Sequence, residues 1–158
     1  AREPEDPCDV DACRESALRL LDAADRPSGA LRDRLIDKGY DDETVAAVVD
    51  RLIEVGLVDD ESYAQSAVRY CVGRLMGYRG AVMELARKGV DRPLAERVCD
   101  EARMSGVFED AAWELGRRSA AKTQGMDPKV RKRRFWSSGG RKGHDAETLR
   151  AVAHELFD

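Results

Sequence analysis

Aromatic residues and long apolar runs are both scarce in this chain of 158 residues. Aromatics make up only 6% of it, and the apolar run near its middle, residues 45–49 (VAAVV), has five residues. A membrane helix needs about 18 apolar residues in a row, so the sequence predicts no membrane span. The N-terminal residues show no basic stretch followed by an apolar core, so we expect no secretion signal in the given sequence.

Cysteine and histidine are also few, which limits the possible metal sites. The four cysteines are Cys8, Cys13, Cys71 and Cys99. Cys8 and Cys13 have no nearby histidine and no second close pair, so the spacing does not indicate a zinc site. We expect reduced thiols in a cytoplasmic protein, because disulfides are rare in that compartment.

Charge is abundant and unevenly distributed. Charged residues form 37% of the chain, and the formal net charge is −4. Residues 1–60 carry 8 basic and 17 acidic side chains, whereas 61–158 carry 19 basic and 14 acidic ones. The overall acidity excludes a polybasic DNA binder of the histone type, but the basic C-terminal part indicates a surface for an anionic partner.

Helical periodicity runs through almost the whole sequence after residue 11. Apolar residues recur at intervals of three and four, and no stretch alternates long enough for a strand. Aspartates, among them Asp41 and Asp145, precede several of the periodic runs. Glycines follow these runs, and both features are typical of helix starts and ends. We therefore predict nine helices over residues 11–25, 28–38, 42–55, 60–75, 78–88, 92–105, 109–122, 128–136 and 145–157.

An internal repeat organises these helices. Shifting the chain by 50 residues gives ten identities over residues 17–60 without a gap, among them Leu35 with Leu85 and Gly39 with Gly89. The shift continues into a third copy after an insertion of four residues near 136–140 (WSSGG). We predict an acidic, poorly ordered tail over 1–13 and three-helix repeats over 14–58, 59–106 and 107–158. The predicted fold is all-α, with the three repeats stacked into an elongated, curved array.

Several segments of the sequence resemble the RecX family of bacterial RecA regulators. They are residues 31–40 (LRDRLIDKGY), 51–60 (RLIEVGLVDD), 63–64 (YA) and 84–90 (ELARKGV). The resemblance covers about residues 14–158, and the family is likewise built of tandem three-helix repeats. The chain departs from the family pattern at the insertion, in a helix that other members keep continuous, and in the acidic N-terminal tail.

The resemblance implies a regulator of DNA recombination, DNA repair and the SOS response. RecX proteins bind RecA and its filament on single-stranded DNA, and inhibit its ATPase, strand-exchange and coprotease activities. We accordingly expect a RecA filament as partner, a weak contact with single- or double-stranded DNA, and a monomeric protein. A standalone helical-repeat nucleic-acid-binding protein is the alternative.

The sequence contains no constellation that indicates catalysis. His144 and His154 fill repeat positions that need no chemistry, and the chain has no Walker-type phosphate loop. We therefore expect no enzyme, no cofactor and no metal.

Basic residues of the second and third repeats are the candidates for partner binding. Arginine and lysine bind phosphates and acidic surfaces, although a run of them can also be a solvated helix face. The candidates are Arg69, Arg74, Arg79, Arg87, Lys88, Lys129, Arg131, Lys132, Arg133, Arg134, Arg141 and Lys142. For Trp136 the sequence favours filling a gap in the core over stacking on a nucleobase.

Overall fold

The computed structural model describes residues 3–158, and all regular structure in them is helical. This confirms the prediction of an all-α fold with nine helices in the described residues. The helices are α1 (Val10–Ala23), α2 (Ser28–Asp37), α3 (Asp42–Glu54), α4 (Asp60–Gly73), α5 (Tyr78–Arg87), α6 (Arg92–Met104), α7 (Val107–Lys122), α8 (Pro128–Arg141) and α9 (Ala146–Phe157). None of these helices is long and apolar enough to cross a membrane.

The chain divides into two compact units. The first unit comprises the described residues up to Ala64 together with Arg87–Asp91, and the second comprises Gln65–Ala86 and Arg92–Asp158. The predicted boundaries of the three repeats stay a prediction.

Aspartates begin the helices at equivalent places. The Asp41 carboxylate accepts the Thr44 backbone N–H at 2.8 Å, and the Asp145 carboxylate accepts that of Thr148 at 2.8 Å. Each bond satisfies one of the free donors of a helix start, and such caps contribute about 1 kcal/mol. The same sequence signal thus begins α3 and α9.

The core of the first unit lies between α1, α2 and α3. Leu31, Leu35 and Val49 are completely buried there, together with Cys13 and Ala17. Burial of one such leucine or valine stabilises the fold by about 1.5–3 kcal/mol.

The C-terminal core of the second unit is centred on Phe135. This ring is fully buried with Val152, and it packs at 5.5 Å from the Phe157 ring. Gly139 is buried, and a Cβ placed there would overlap Leu149. The glycine therefore allows α9 to approach α8 closely.

The end of α8 corrects the predicted helix over 128–136. The helix continues to Arg141 and has 14 residues, against 10 in α2 and in α5. Four residues are about one turn of an α-helix. The insertion is therefore accommodated as one additional turn, held by the packing of Gly139 against Leu149.

The N-terminal residues also differ from the expected tail. α1 begins at Val10 with Asp9 as its N-cap, and Cys13 is completely buried. Residues before it contact the start of α3, since the Asp41 N–H donates to the Pro7 carbonyl at 3.0 Å. Residues 1–2 of the predicted tail lie outside the described residues.

Candidate anion-binding cleft

A cleft of about 370 Å³ lies in the second unit, between the end of α4, the C-terminal half of α7 and α8. Its lining side chains include five cations and, within the described part of the chain, no carboxylate. The lining residues are Gly73, Arg74, Leu75, Leu115, Arg118, Ser119, Lys122, Thr123, Arg134, Ser138 and Lys142. Five positive charges with three hydroxyl groups are the donor set that phosphates and carboxylates accept from.

Helical spacing brings these cations to common faces. Arg118 and Lys122 are four residues apart on α7, so both project from the same side of that helix. Arg134 and Lys142 are eight residues apart on α8 and its C-cap, with Ser138 between them. The additional turn of α8 is what extends this row as far as Lys142.

The cations of the cleft differ in their existing partners. Lys142 Nζ donates to the Arg74 carbonyl oxygen at 2.8 Å, and Arg118 Nε donates to Glu114 at 3.0 Å. Arg118, with Arg117, holds the pKa of the Glu114 carboxyl below its usual value. The side chains of Lys122 and Arg134 have no hydrogen-bond or ion-pair partner among residues 3–158, so they are available to a ligand.

The turn that follows α4 forms one wall of the cleft. Leu75 is the single non-glycine residue with positive φ in the described chain, at 62°. This left-handed conformation is unfavourable for leucine and is held by surrounding contacts. One of them is a bond of 2.9 Å from the Gly77 N–H to the Lys142 carbonyl.

His144 supplies a further contact to the same turn. Its Nε2 lies 2.8 Å from the Leu75 carbonyl oxygen, and the residue is 7% exposed. Burial lowers the pKa of the imidazole below 6.5. The ring is therefore neutral at pH 7 and donates from Nε2.

The basic run at 129–134, predicted as one binding surface, is divided by the structure. Arg131 points inward, with Nε donating to Thr123 Oγ1 at 3.1 Å and Nη2 to the Ala120 carbonyl at 3.0 Å. Lys132 forms an ion pair with Asp158. These two contacts within the protein set Arg131 and Lys132 apart from Arg134, which lines the cleft.

Lys129 and Arg133 are exposed and do not line the cleft. The other predicted binding residues are dispersed. Arg69 donates to Ser66 at 3.0 Å, Arg141 donates to Ser137 at 2.7 Å, and Arg79 is exposed. Arg87 and Lys88 belong to the first unit.

The predicted set therefore contributes Arg74, Arg134 and Lys142 to the cleft. Arg118 and Lys122 were missed, although their spacing of four residues in a segment rich in cations was visible in the sequence.

The structure places Trp136 partly in the C-terminal core, and stacking on a nucleobase stays a prediction. Its ring packs partly against the C-terminal core, and it also lines a groove of about 560 Å³ with Lys132, Arg150 and His154. The groove lies on α8 and α9, and shares no lining residue with the cleft.

The cysteines and the potential metal ligands are the other groups with possible chemistry. No group of three or more potential metal ligands occurs among residues 3–158. Cys71 and Cys99 are buried, and burial raises the pKa of Cys99 to about 12. A thiol with so high a pKa is a poor nucleophile, because the thiolate is the reactive form.

Comparison of the sequence with known proteins gives one family. A family model described as "RecX, first three-helix domain" matches residues 13–52. The "Regulatory protein RecX" of Thermobifida fusca is 37% identical over 147 residues, which cover 90% of this chain and 78% of the relative. That of Streptomyces lividans is 32% identical over 155 residues, covering 97% and 81%.

A solved structure shows the same fold. The crystal structure of RecX from Lactobacillus salivarius superposes with a TM-score of 0.82 at 20% identity, covering 94% of this chain and 96% of that one. With two relatives above 30% identity over nearly the whole chain, this protein belongs to the RecX family of regulatory proteins.

Proposed function

We propose that this protein regulates the RecA recombinase by binding RecA and its filament on single-stranded DNA. Binding inhibits the ATPase, strand-exchange and coprotease activities of the filament, in the cytoplasm and in the setting of DNA repair and the SOS response. The protein acts as a monomer and through binding, without chemistry of its own. The observation that carries the proposal is the cleft with five cations and no lining carboxylate.

The cleft supplies the contact with the anionic part of the filament. Phosphate oxygens take hydrogen bonds from arginine, lysine and hydroxyl groups, and Ser119, Thr123 and Ser138 lie among the cations. Lys122 and Arg134 have no partner to give up among the described residues. An incoming phosphate therefore gains two charge-assisted bonds without breaking an ion pair.

The charge distribution favours a filament over free DNA. Residues 1–60 carry a net charge of −9, which repels the phosphates of a nucleic acid bound elsewhere on the molecule. A small number of phosphate contacts gives weak, salt-sensitive binding by itself. The three predicted repeats, over 14–58, 59–106 and 107–158, supply protein surface in addition to the cleft.

A standalone nucleic-acid-binding protein is the second candidate, because the same cleft serves free DNA equally well in chemical terms. The two candidates differ in whether RecA is required. We expect tight binding only when both RecA and DNA are present.

Binding to immobilised single-stranded DNA, with and without RecA, distinguishes them. At about 150 mM salt the contact with bare DNA should be weak, since salt competes for the phosphates, while the RecA-coated strand retains the protein. Equal retention on bare and coated DNA would favour the second candidate. Retention on neither would contradict both.

A further inference from the structure

Glycines at the starts and ends of α2, α5 and α8, the second helix of each predicted repeat, form closely packed contacts. In the first unit, Gly89 follows α5 with φ of 103°. A Cβ on Gly89 would lie 2.7 Å from the Ala30 nitrogen, and one on Gly29 would lie 2.5 Å from the Gly89 carbonyl oxygen. The left-handed glycine after α5 thus contacts the first turn of α2.

The second unit repeats this contact one copy later. Gly143 follows α8 with φ of 85°, and a Cβ placed on it would overlap Gly80 in the first turn of α5. A Cβ on Gly80 would in turn overlap the Lys142 carbonyl oxygen. In both contacts a first turn that contains glycine packs against a glycine with positive φ. Neither side has room for a side chain, so both contacts require glycine.

Gly39 is the equivalent residue of the first copy, and a different segment covers it. Its φ is 107°, and a Cβ there would lie 2.9 Å from Pro4 Cδ and 3.7 Å from Glu3 Cγ. Two bonds fix the same segment, one from the Asp41 N–H to the Pro7 carbonyl at 3.0 Å and one from Cys8 Sγ to Asp41 Oδ2 at 2.7 Å. Residues 3–8 therefore occupy the position that a helix start occupies in the other copies.

This N-terminal segment is held against charges of its own sign. It carries Glu3, Glu5 and Asp6, and it lies beside the acidic start of α3, residues 41–43 (DDE). Asp41, Asp6 and Glu43 all raise the pKa of the Cys8 thiol, Asp41 most strongly through its hydrogen bond. No ion pair joins the segment to this start within residues 3–158, so its attachment depends on the two hydrogen bonds to Asp41 and on the Pro4 contact.

The first turn of α8 is unsuitable as a replacement for the segment. It reads Asp127-Pro128-Lys129-Val130 and contains no glycine, so a second copy of this chain lacks a free helix start that fits against Gly39. A complementary partner would therefore be a different protein, with a glycine in the first turn of a helix and basic flanking side chains that oppose residues 41–43.

We propose that residues 3–8 are a displaceable cover over Gly39, and that the surface beneath takes the glycine-containing start of a basic helix of the partner. This rests on the proposed function, in which RecA is the partner. Residues 3–8 then compete with RecA for the surface around Gly39. Displacement of the segment then precedes tight binding. The apparent affinity of this protein for RecA then equals the affinity of the uncovered surface multiplied by the fraction of time for which the surface is uncovered.

Deletion of residues 1–8 tests this on the RecA filament. The deletion retains Asp9, the N-cap of α1. Inhibition of RecA ATP hydrolysis on single-stranded DNA should need about tenfold less protein, which is the gain if the surface is free about a tenth of the time. Equal inhibition by the deleted and the complete chain would overturn the inference while leaving the proposed function intact.

A reversible lock supplies the second variant if the deletion fails to fold. Asp41→Cys places a thiol beside Cys8, whose Sγ lies 2.7 Å from Asp41 Oδ2, and mild oxidation with oxidised glutathione joins the two cysteines as reduced glutathione is released. The locked form should inhibit more weakly than the same protein after reduction. Equal inhibition in the two redox states overturns the inference, and the reduced form is the control for loss of the Asp41 cap.

Hydrogen exchange tests displacement without RecA. The Asp41 amide, bonded to Pro7, should exchange much faster than the amides of the α3 interior, because the segment leaves without global unfolding. If the Asp41 amide exchanges only with global unfolding, the segment is a fixed part of the fold and the inference fails, whatever RecA does.

Discussion

His144 Nε2 lies 2.8 Å from the carbonyl oxygen of Leu75, 69 positions earlier in the chain. This bond connects the turn after α8 with the turn after α4. The same two turns carry Lys142 and Arg74, whose side chains line the cleft. His144 therefore connects two turns that line the cleft, and it is not itself one of the lining residues.

Stability should depend on the protonation of His144. Burial depresses the pKa of the folded imidazole below 6.5, so the unfolded chain takes up a proton first as the pH falls. The contribution of His144 to the free energy of unfolding should be constant above about pH 7.5. As the pH falls below about 6.5, this contribution should decrease until the pH reaches the lower pKa of the folded state. Urea unfolding of the wild type and of His144→Val across this range measures the effect.

His154→Gln, at an exposed histidine, is the control and should keep the pH dependence of the wild type. An unchanged pH dependence in His144→Val would contradict its attribution to His144.

Charge removal inside the cleft should weaken binding to the filament. The double variant Lys122→Ala/Arg134→Ala removes the two cleft cations that have no partner among residues 3–158, and should reduce the salt dependence of binding by about one to two units of slope. Fluorescence anisotropy of labelled DNA coated with RecA, at several salt concentrations, measures this.

Lys129→Ala/Arg133→Ala is the matched control for charge. It removes two exposed cations that do not line the cleft, so it should retain the wild-type slope. Equal loss in both double variants would show that total charge matters and the cleft does not.

Arg131 should contribute to stability. Its guanidinium donates to the Ala120 carbonyl and to Thr123 at the end of α7. Arg131→Ala should therefore lower the free energy of unfolding by about 1.5–3 kcal/mol, as for bonds to charged groups. Urea unfolding provides the value, and Arg133→Ala on the same helix should unfold as the wild type does. An Arg131→Ala variant that is as stable as the wild type but binds the filament more weakly would contradict this and support the predicted role of Arg131 in partner binding.

Two adjacent glycines of α8 should respond oppositely to alanine. A Cβ on Gly139 would overlap Leu149, whereas a Cβ on Gly140 meets nothing within 4 Å. Gly139→Ala should therefore destabilise the protein by about 1–3 kcal/mol through overpacking. Gly140→Ala should stabilise it by about 0.5–1 kcal/mol, because glycine is unfavourable inside a helix. Urea midpoints of the two variants test the packing of the additional turn, and a shift of the same sign in both would contradict it.

Local signals in the sequence were sufficient for most of the fold. Asp41 and Asp145 begin helices where the capping pattern predicted, and Leu35 and Leu85 are both fully buried. The end of α8 was missed because Gly139 and Gly140 are weak helix formers. Packing against Leu149, a contact distant in sequence, decides the outcome there.

The cleft was less accessible to sequence reasoning. Which cations converge depends on where the end of α4 lies beside α7 and α8, and periodicity within one helix contains no such information. Arg131 and Arg134 look alike in the sequence, yet one is directed to Thr123 and the other to the cleft. Only the tertiary arrangement separates them.

The rate of ATP hydrolysis by RecA on single-stranded DNA, measured with increasing amounts of this protein, tests the central claim most directly. The account predicts that the rate falls before the protein reaches parity with RecA, and that Lys122→Ala/Arg134→Ala requires more protein for the same fall. An unchanged rate at parity would contradict it.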